Sequence, residues 1–292
     1  MKVKEQKLHE HGFVRFIDIM GDDNSIADAA RVSYGEGTRS VSDNRNLIRY
    51  LVRNKHTSPL EMVEVKFHLK LPIFIMRQLV RHRTASLNEY SGRYSIMTDE
   101  CYEPSDDYLQ PQSQSNKQGR DGELSDNWKL SYKQKIYEAI NKAIVAYKFL
   151  IGNNTPHGGL SRELARTVLP VSNYTECYWK IDLHNFFHFC RLRMDSHAQQ
   201  EIRDYAKVMY EMVKPEIPIA AEAFEDYSLY SVSLSRMERN VIQYVFETFP
   251  EIQQTSGFTQ SMKSYMERVK KSEDVDFGMT AREWKELKEK IK

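Results

Sequence analysis

The chain has 292 residues, and its 42 lysines and arginines nearly balance its 41 aspartates and glutamates. This balance excludes a global positive field for nucleic acid or an anionic membrane, so a basic site must act on a local anion. The cysteines, Cys101, Cys177 and Cys190, are odd in number and contain no C-x-x-C pair, which favours a reducing cytoplasm over a disulfide framework. No apolar run reaches membrane-spanning length, and we expect a cytoplasmic protein without membrane or nucleic-acid partners.

The first clear element is a strand, because every second residue from Val63 to Leu71 is apolar. This alternation predicts a half-buried, antiparallel strand. An amphipathic helix is expected to begin at Pro72. Its apolar side would consist of Ile73, Met76, Leu79 and Val80, and its polar side of Arg77, Gln78, Arg81 and His82. Upstream, Ser58 and Glu61 have the spacing of a capping box at a helix start.

Helices dominate the remaining chain. The patterns predict helices over 128–151, 161–169, 184–193 and about 196–214, with a second capping box from Ser196 to Gln199. A last helix is predicted from a cap at Thr280 to Glu283, with Trp284, Leu287 and Ile291 as its apolar stripe. The polar segment 109–122 is expected to be a loop. These elements indicate an α+β fold, mostly helical around a modest, largely antiparallel sheet. It is not a Rossmann fold, because Gly35 and Gly37 are followed by Ser40 rather than by the third glycine of the fingerprint.

Familiar catalytic motifs are absent from the sequence. There is no H-E-x-x-H cluster, and a metal site built on His184, His188 and His197 would rest on one helical pair, so no metal is predicted. No G-x-S-x-G elbow surrounds Ser91, which we interpret as a hydrogen-bond donor rather than a nucleophile. An enzyme of this sequence must therefore work without an evident protein nucleophile.

The segment RHRTASLNEYSGRYS, residues 81–95, is unusually rich in hydrogen-bonding side chains. Arginine presents a planar fork that suits phosphates and carboxylates. Arg77 lies just before this segment, and Arg166 and Arg193 lie on helices predicted downstream. If these arginines converge with those of the segment, they would meet more than one anionic group; the alternative is that each is merely solvated.

This segment also carries a family resemblance. Arg81, His82, Arg83, Ser86, Asn88, Ser91 and Arg93 match the signature R-H-R-x-x-S-x-N-x-x-S-x-R of the flavin-dependent thymidylate synthases. Further blocks, including HTSPLEM, ELARTVLP and LRMDSHAQQEIR, resemble that family in the same order. The resemblance covers about residues 10–225, and we expect a core of residues 1–225 followed by a helical extension, 226–292, of unknown role.

The resemblance implies the methylation of dUMP to dTMP, with FAD as cofactor and with methylenetetrahydrofolate and NADPH as co-substrates. The cofactor would supply the redox chemistry, which agrees with the missing nucleophile. The family typically forms a homotetramer whose sites draw segments from several subunits. Two alternatives remain open at this point: a flavoprotein that oxidises NADPH without methylating dUMP, and a regulatory module that binds RNA or nucleotides.

The resemblance also implies site residues, position by position. Those implied to bind FAD are Ser58, Arg81, His82, Arg83, Asn88, Glu89, Asp182, Leu183, His184 and His188. Those implied to bind dUMP are Gln78, Arg81, Glu89, Tyr90, Ser91, Gly92, Arg93, Arg166 and Arg193. His56 would lie near the folate or nicotinamide. Arg193 is the expected catalytic residue, because a fixed guanidinium beside uracil stabilises negative charge on the ring; the alternative is an arginine that binds free carbonyls at its own helix end.

Overall fold

The computed structural model describes residues 4–32, 43–114, 118–152, 156, 158–248, 264, 266–268 and 281–290. It divides into two compact units, Met1–Leu229 and Tyr230–Lys292, and each is described by itself. Within the described ranges, no helix is long and apolar enough to cross a membrane.

An antiparallel sheet organises the first unit. Its strands are β1 (Lys4–Leu8), β2 (Gly12–Met20), β3 (Glu64–Pro72), β4 (Ser86–Glu89) and β5 (Tyr174–Asp182), in the spatial order β1-β2-β3-β5-β4. All of these pairings are antiparallel. The predicted α+β class with an antiparallel sheet is confirmed.

Helices surround this sheet. They are α1 (Asp23–Arg31), α2 (Asn44–Arg53), α3 (Ile73–Leu79), α4 (Asp126–Ile151), α5 (Arg162–Ala165), α6 (Leu183–Arg193), α7 (Gln200–Val213) and α8 (Pro218–Phe224). Short 3-10 turns follow α5 and α7, and a π-helical turn, Glu225–Leu229, follows α8. The helices predicted over 128–151 and 184–193 are confirmed with small changes at their ends.

The core lies on one face of β3 and β5. In β3, Val65, Phe67, Leu69 and Leu71 are buried, as the alternation predicted. Phe67 has ring centroids of Phe16, Trp179 and Phe186 at 5.7, 6.5 and 5.7 Å. The four aromatic rings therefore join β2, β3, β5 and α6 into one apolar layer, which fixes the helix that carries Arg193.

Both predicted capping boxes in the first unit are wrong. Thr57, not Ser58, bonds the Glu61 carboxylate, and the helix expected there is a three-residue 3-10 turn without a side-chain cap. Helix α7 begins at Gln200 because the Asp195 side chain and carbonyl already hold the amides of His197 and Ala198 in a turn. Local spacing alone did not reveal these competing partners.

Two further predictions need correction. Helix α3 ends at Leu79, so Val80 leaves the apolar stripe and is 39% exposed, and Pro72 ends β3 as the N-cap of α3 rather than lying in its first turn. The helix expected over 161–169 is α5 followed by a 3-10 turn that ends at Val168.

The second unit contains α9 (Arg236–Thr248) and α10 (Ala281–Lys290). Ser235 and Glu238 cap α9 reciprocally, and the buried Glu238 also accepts a hydrogen bond from Lys290. Trp284 and Leu287 of the predicted last helix are buried. Thr280, Ile291 and the side chain of Glu283 lie outside the described residues.

We predict that Phe67→Ala lowers the free energy of unfolding by about 3–5 kcal/mol, because it leaves a cavity between three aromatic rings. Urea unfolding followed by circular dichroism measures the change. The control is Lys66→Ala on the opposite face of β3, where the side chain is 41% exposed, and its expected effect is within about 0.5 kcal/mol. Equal losses for the two variants would contradict the assigned core.

Candidate functional site

The segment that carries the arginine-rich motif leaves α3 in a tight turn. The amide of His82 donates to the carbonyl of Leu79 at 3.0 Å, and the chain then enters β4. Arg81 and Arg83 flank His82 with exposed side chains. The backbone is therefore held by local hydrogen bonds, while both guanidinium groups face outward.

Strand β5 fixes the next part of the motif. Asn88 and Glu89 of β4 lie opposite Tyr178 and Cys177 of β5. The carboxylate of Glu89 accepts a hydrogen bond from Thr175 at 2.9 Å. All four β4 residues are exposed, so the strand presents its side chains at the edge of the sheet.

The loop after β4 is tethered at both ends. The amide of Tyr90 donates to Glu176 O at 2.8 Å, and the amide of Met97 donates to the Tyr147 hydroxyl at 2.8 Å. Between these points, the Ser91 hydroxyl accepts a hydrogen bond from the amide of Arg93 at 3.3 Å. The loop is therefore shaped before any ligand binds.

Gly92 allows this loop to closely approach the 3-10 turn that follows α5. A Cβ atom at position 92 would lie 2.7 Å from Sδ of Met97 and 3.1 Å from Cδ of Arg166. Arg93 pairs with Glu163 at 3.1 Å. We call Gly92, Arg93, Glu163 and Arg166 the loop cluster; it unites two predicted site segments that are distant in sequence.

A second group forms where α6 ends. Nε of Arg193 donates to Nε2 of His82 at 3.0 Å. The His188 ring centroid lies 6.0 Å from that of His82, and the ring of Phe189 meets His82 edge-on at 5.0 Å. We call Arg81, His82, His188 and Arg193 the arginine–histidine cluster.

Burial and positive neighbours shift the pKa values in the arginine–histidine cluster. Burial, then the Arg193 and His188 charges, lowers the pKa of His82 to about 4. Burial, followed by the charges of Arg191, His184 and Arg193, also lowers the pKa of His188. Arg193 has its pKa lowered by burial and by the charge of Arg81. Both imidazoles are therefore neutral at pH 7, and the positive charge resides on the arginines.

These charges lack protein counterions. Within the part of the chain that the structure describes, no hydrogen-bond or ion-pair partner is found for the side chains of Arg81, Arg83 or Arg166, and no carboxylate pairs with Arg193. Arg193 is partly buried and repelled by the charge of Arg81, an arrangement that is unfavourable unless an anion compensates it. The arrangement therefore suits a ligand that carries phosphate groups.

Gln78 and a neighbouring cavity extend this region. Nε2 of Gln78 donates to Oε1 of Gln199 at 2.6 Å. Gln199 also lines a cavity of about 480 Å³, together with Arg120, His197 and Arg203. The cavity provides concave polar space directly beside a predicted nucleotide contact.

The remaining predicted site residues make contacts that do not by themselves indicate a ligand. His56 is exposed and packs edge-on against Tyr50. Both oxygens of Asp182 bond to Asn185, so this carboxylate is the N-cap of α6. The Leu183 side chain is fully buried and its amide donates to Val63 O, so the structure does not bring that side chain to the site. The flavin contacts of Ser58, Asp182, Leu183 and His184 stay predictions.

The two clusters are not bonded to each other in the part of the chain that the structure describes. Among the described residues, no hydrogen bond or ion pair joins the loop cluster to the arginine–histidine cluster. Sequence analysis did not predict Gln199 or Glu163 as partners of Gln78 and Arg93, although both lie in blocks that resemble the family. Over the same described ranges, no group of three or more His, Cys, Asp or Glu side chains is placed to hold a metal ion.

Comparison with known proteins provides independent information. The profile of the family described as "Thymidylate synthase complementing protein" matches residues 15–219. A flavin-dependent thymidylate synthase of Dictyostelium discoideum is 51% identical over 247 residues, which cover 82% of this chain and 80% of the relative. One of Ehrlichia ruminantium (strain Gardel) is 44% identical over 295 residues, covering 97% of this chain and 87% of the relative.

A solved structure has a similar fold. It is a UMP/dUMP methylase, PolB from Streptomyces cacaoi, bound with 5-Br dUMP. It has a TM-score of 0.68 and 31% sequence identity, covering 77% of this chain and 99% of that chain.

We predict that the His82 ring titrates near pH 4 and that Arg193→Ala raises its pKa, because a positive neighbour is removed. NMR titration of the histidine ring protons measures both values.

The lowered pKa of His82 also makes the folded protein less stable as pH falls from 6.5 towards 4, because only the unfolded chain takes up a proton at His82 between these pH values. Arg45→Ala, at an exposed ion pair with Glu222, is the control, and a wild-type His82 pKa of about 6.5 would contradict the described environment.

Proposed function

Since the chain belongs to the flavin-dependent thymidylate synthase family, we infer that it is an enzyme that methylates dUMP to dTMP with a bound flavin. The similar structure with 5-Br dUMP supports dUMP as the substrate. Family membership also argues against the two alternative functions, the NADPH-oxidising flavoprotein and the regulatory module that binds RNA or nucleotides.

One observation of this chain carries the inference: arginines without counterions among the described residues lie in both clusters. Arg81 and Arg193 are close enough to repel each other, and Arg166 lies against the loop at Gly92. dUMP carries a phosphate, and a flavin dinucleotide carries a pyrophosphate. Arginine binds such groups through paired N–H donors, so these ligands supply the charge that the folded chain lacks.

We assign dUMP to the β4 edge and the loop that follows. Glu89, Tyr90, Ser91, Gly92 and Arg93 would provide backbone and side-chain contacts. Gln78, Arg81 and Arg166 would add contacts from other elements. Arg193 is the proposed catalytic residue. Its guanidinium is fixed before substrate binds and partly shielded from water, two conditions that strengthen its interaction with negative charge developing on uracil.

The residues around His82 fit a flavin dinucleotide. Arg81 and Arg83 offer free guanidinium groups for a pyrophosphate, and Asn88 offers an exposed amide on β4. His82, Ser58, Glu89, Asp182, His184 and His188, with the backbone of Leu183, complete the set that we propose to contact FAD. When bound, the flavin supplies the redox chemistry of methyl transfer, and the protein binds and orients the reactants. No protein nucleophile is required in this proposal.

We propose methylenetetrahydrofolate as the carbon donor and NADPH as the reductant. Two features support this proposal: the polar cavity beside Gln199 offers space for such co-substrates near the proposed dUMP contacts, and the His56 ring is exposed. We also propose a cytoplasmic location, in agreement with the three buried, unpaired cysteines.

We further propose that the enzyme is a homotetramer with sites shared between subunits. Large apolar side chains are exposed on α4 and on residues 164–171, including Val145 (58%), Phe149 (61%), Leu164 (53%) and Val171 (63%). Such exposure is typical of interaction surfaces. A second copy would cover these residues and bring one chain's loop cluster towards another's arginine–histidine cluster.

Arg193→Ala is expected to retain bound flavin and to lower the rate of dTMP formation by about 10²-fold or more, because a preorganised positive charge is lost. Flavin absorbance and a dTMP assay with dUMP, NADPH and methylenetetrahydrofolate measure the two effects. Arg45→Ala removes one guanidinium outside the predicted site and should change the rate less than about twofold. Near wild-type turnover by Arg193→Ala would overturn the catalytic assignment.

Phe149→Glu is expected to shift the enzyme from a tetramer to smaller species, because a charge cannot be buried in an apolar interface without a partner. Analytical ultracentrifugation measures the distribution of species. Lys207→Glu, on the exposed side of α7, should leave it unchanged. A tetramer that persists in Phe149→Glu would place the interface elsewhere.

A further inference from the structure

The hydrogen bond between Arg193 and His82 constrains both side chains. Nε–H of arginine is always a donor, so Nε2 of His82 must accept and cannot carry a proton. The proton of the neutral ring is therefore on Nδ1. At 3.0 Å, this bond couples the turn after α3 to the last turn of α6.

The surroundings of His82 preserve this neutral acceptor. The α6 side chains that face it are Arg193, His188 and the apolar Phe189. On its own segment, it is flanked by Arg81 and Arg83. No carboxylate bonds to the ring among the described residues, so nothing favours its protonation, and the Arg193 bond is maintained over the neutral pH range.

This bond selects the edge that the guanidinium presents. With Nε engaged by His82, both terminal amino groups of Arg193 make no hydrogen bond to the described residues, and they form a parallel pair suited to a planar or anionic acceptor. Without the bond, the long arginine side chain would sample other rotamers, and repulsion by Arg81 would favour those that move it away.

Resting on the proposed function, we propose that His82 is a positioning residue that holds Arg193 with its two terminal amino groups directed at the uracil ring of dUMP. This role adds to any contact that His82 makes with the flavin. It links the R-H-R motif to the catalytic arginine through one hydrogen bond.

The test compares two replacements of His82. Phenylalanine keeps the ring and removes the acceptor, whereas the Oε1 atom of glutamine can accept a hydrogen bond near the position of Nε2. We expect His82→Phe to lower kcat for dTMP formation, per bound flavin, by about 10- to 100-fold. His82→Gln should recover most of the lost kcat.

A double-variant cycle separates positioning from a direct effect on the flavin. In an Arg193→Ala background, His82→Phe should cause no further loss of kcat, because the group that it positions is already absent. Additive losses, failure of His82→Gln to exceed His82→Phe, or unchanged kcat in His82→Phe would each overturn the proposal. Wild-type enzyme that makes no dTMP would instead overturn the proposed function, and the role of His82 with it.

Discussion

The antiparallel register of β5 between β3 and β4 is the constraint on which the rest of the site depends. One edge of β5 holds the buried β3 strand, and its other edge holds the exposed β4 strand. The chain then continues directly from β5 into α6. One strand shared by two neighbours therefore brings the motif at 81–93 beside the helix that ends at Arg193.

Charge, rather than shape, distinguishes this region from the remaining surface. Elsewhere, exposed cations commonly have carboxylate neighbours, as Arg45 has Glu222 and Lys148 has Asp99. In the arginine–histidine cluster, the neighbours are a second arginine and neutral imidazoles. A folded chain that keeps such a cluster loses stability locally, and the binding of an anion offsets that loss.

Sequence patterns predicted those features that depend on neighbouring residues. The alternation from Val63 to Leu71 indicated the central strand because every second side chain of that strand faces the core. Capping spacing failed at Ser58 because Thr57 bonds the Glu61 carboxylate, and at Ser196 because Asp195 holds the chain in a turn before α7. The family resemblance indicated His82 and Arg193 in two separate blocks, but their hydrogen bond joins distant segments, and only the folded chain brings them together.

The loop between Tyr90 and Met97 has a thermodynamic consequence. Its two tethers restrict the chain before the nucleotide arrives, and Gly92 lets it rest against Met97 and Arg166. A segment already confined in this way has few conformations left to lose, so the entropic cost of ordering it on the substrate is small. More of the free energy from each phosphate and base contact then appears as affinity.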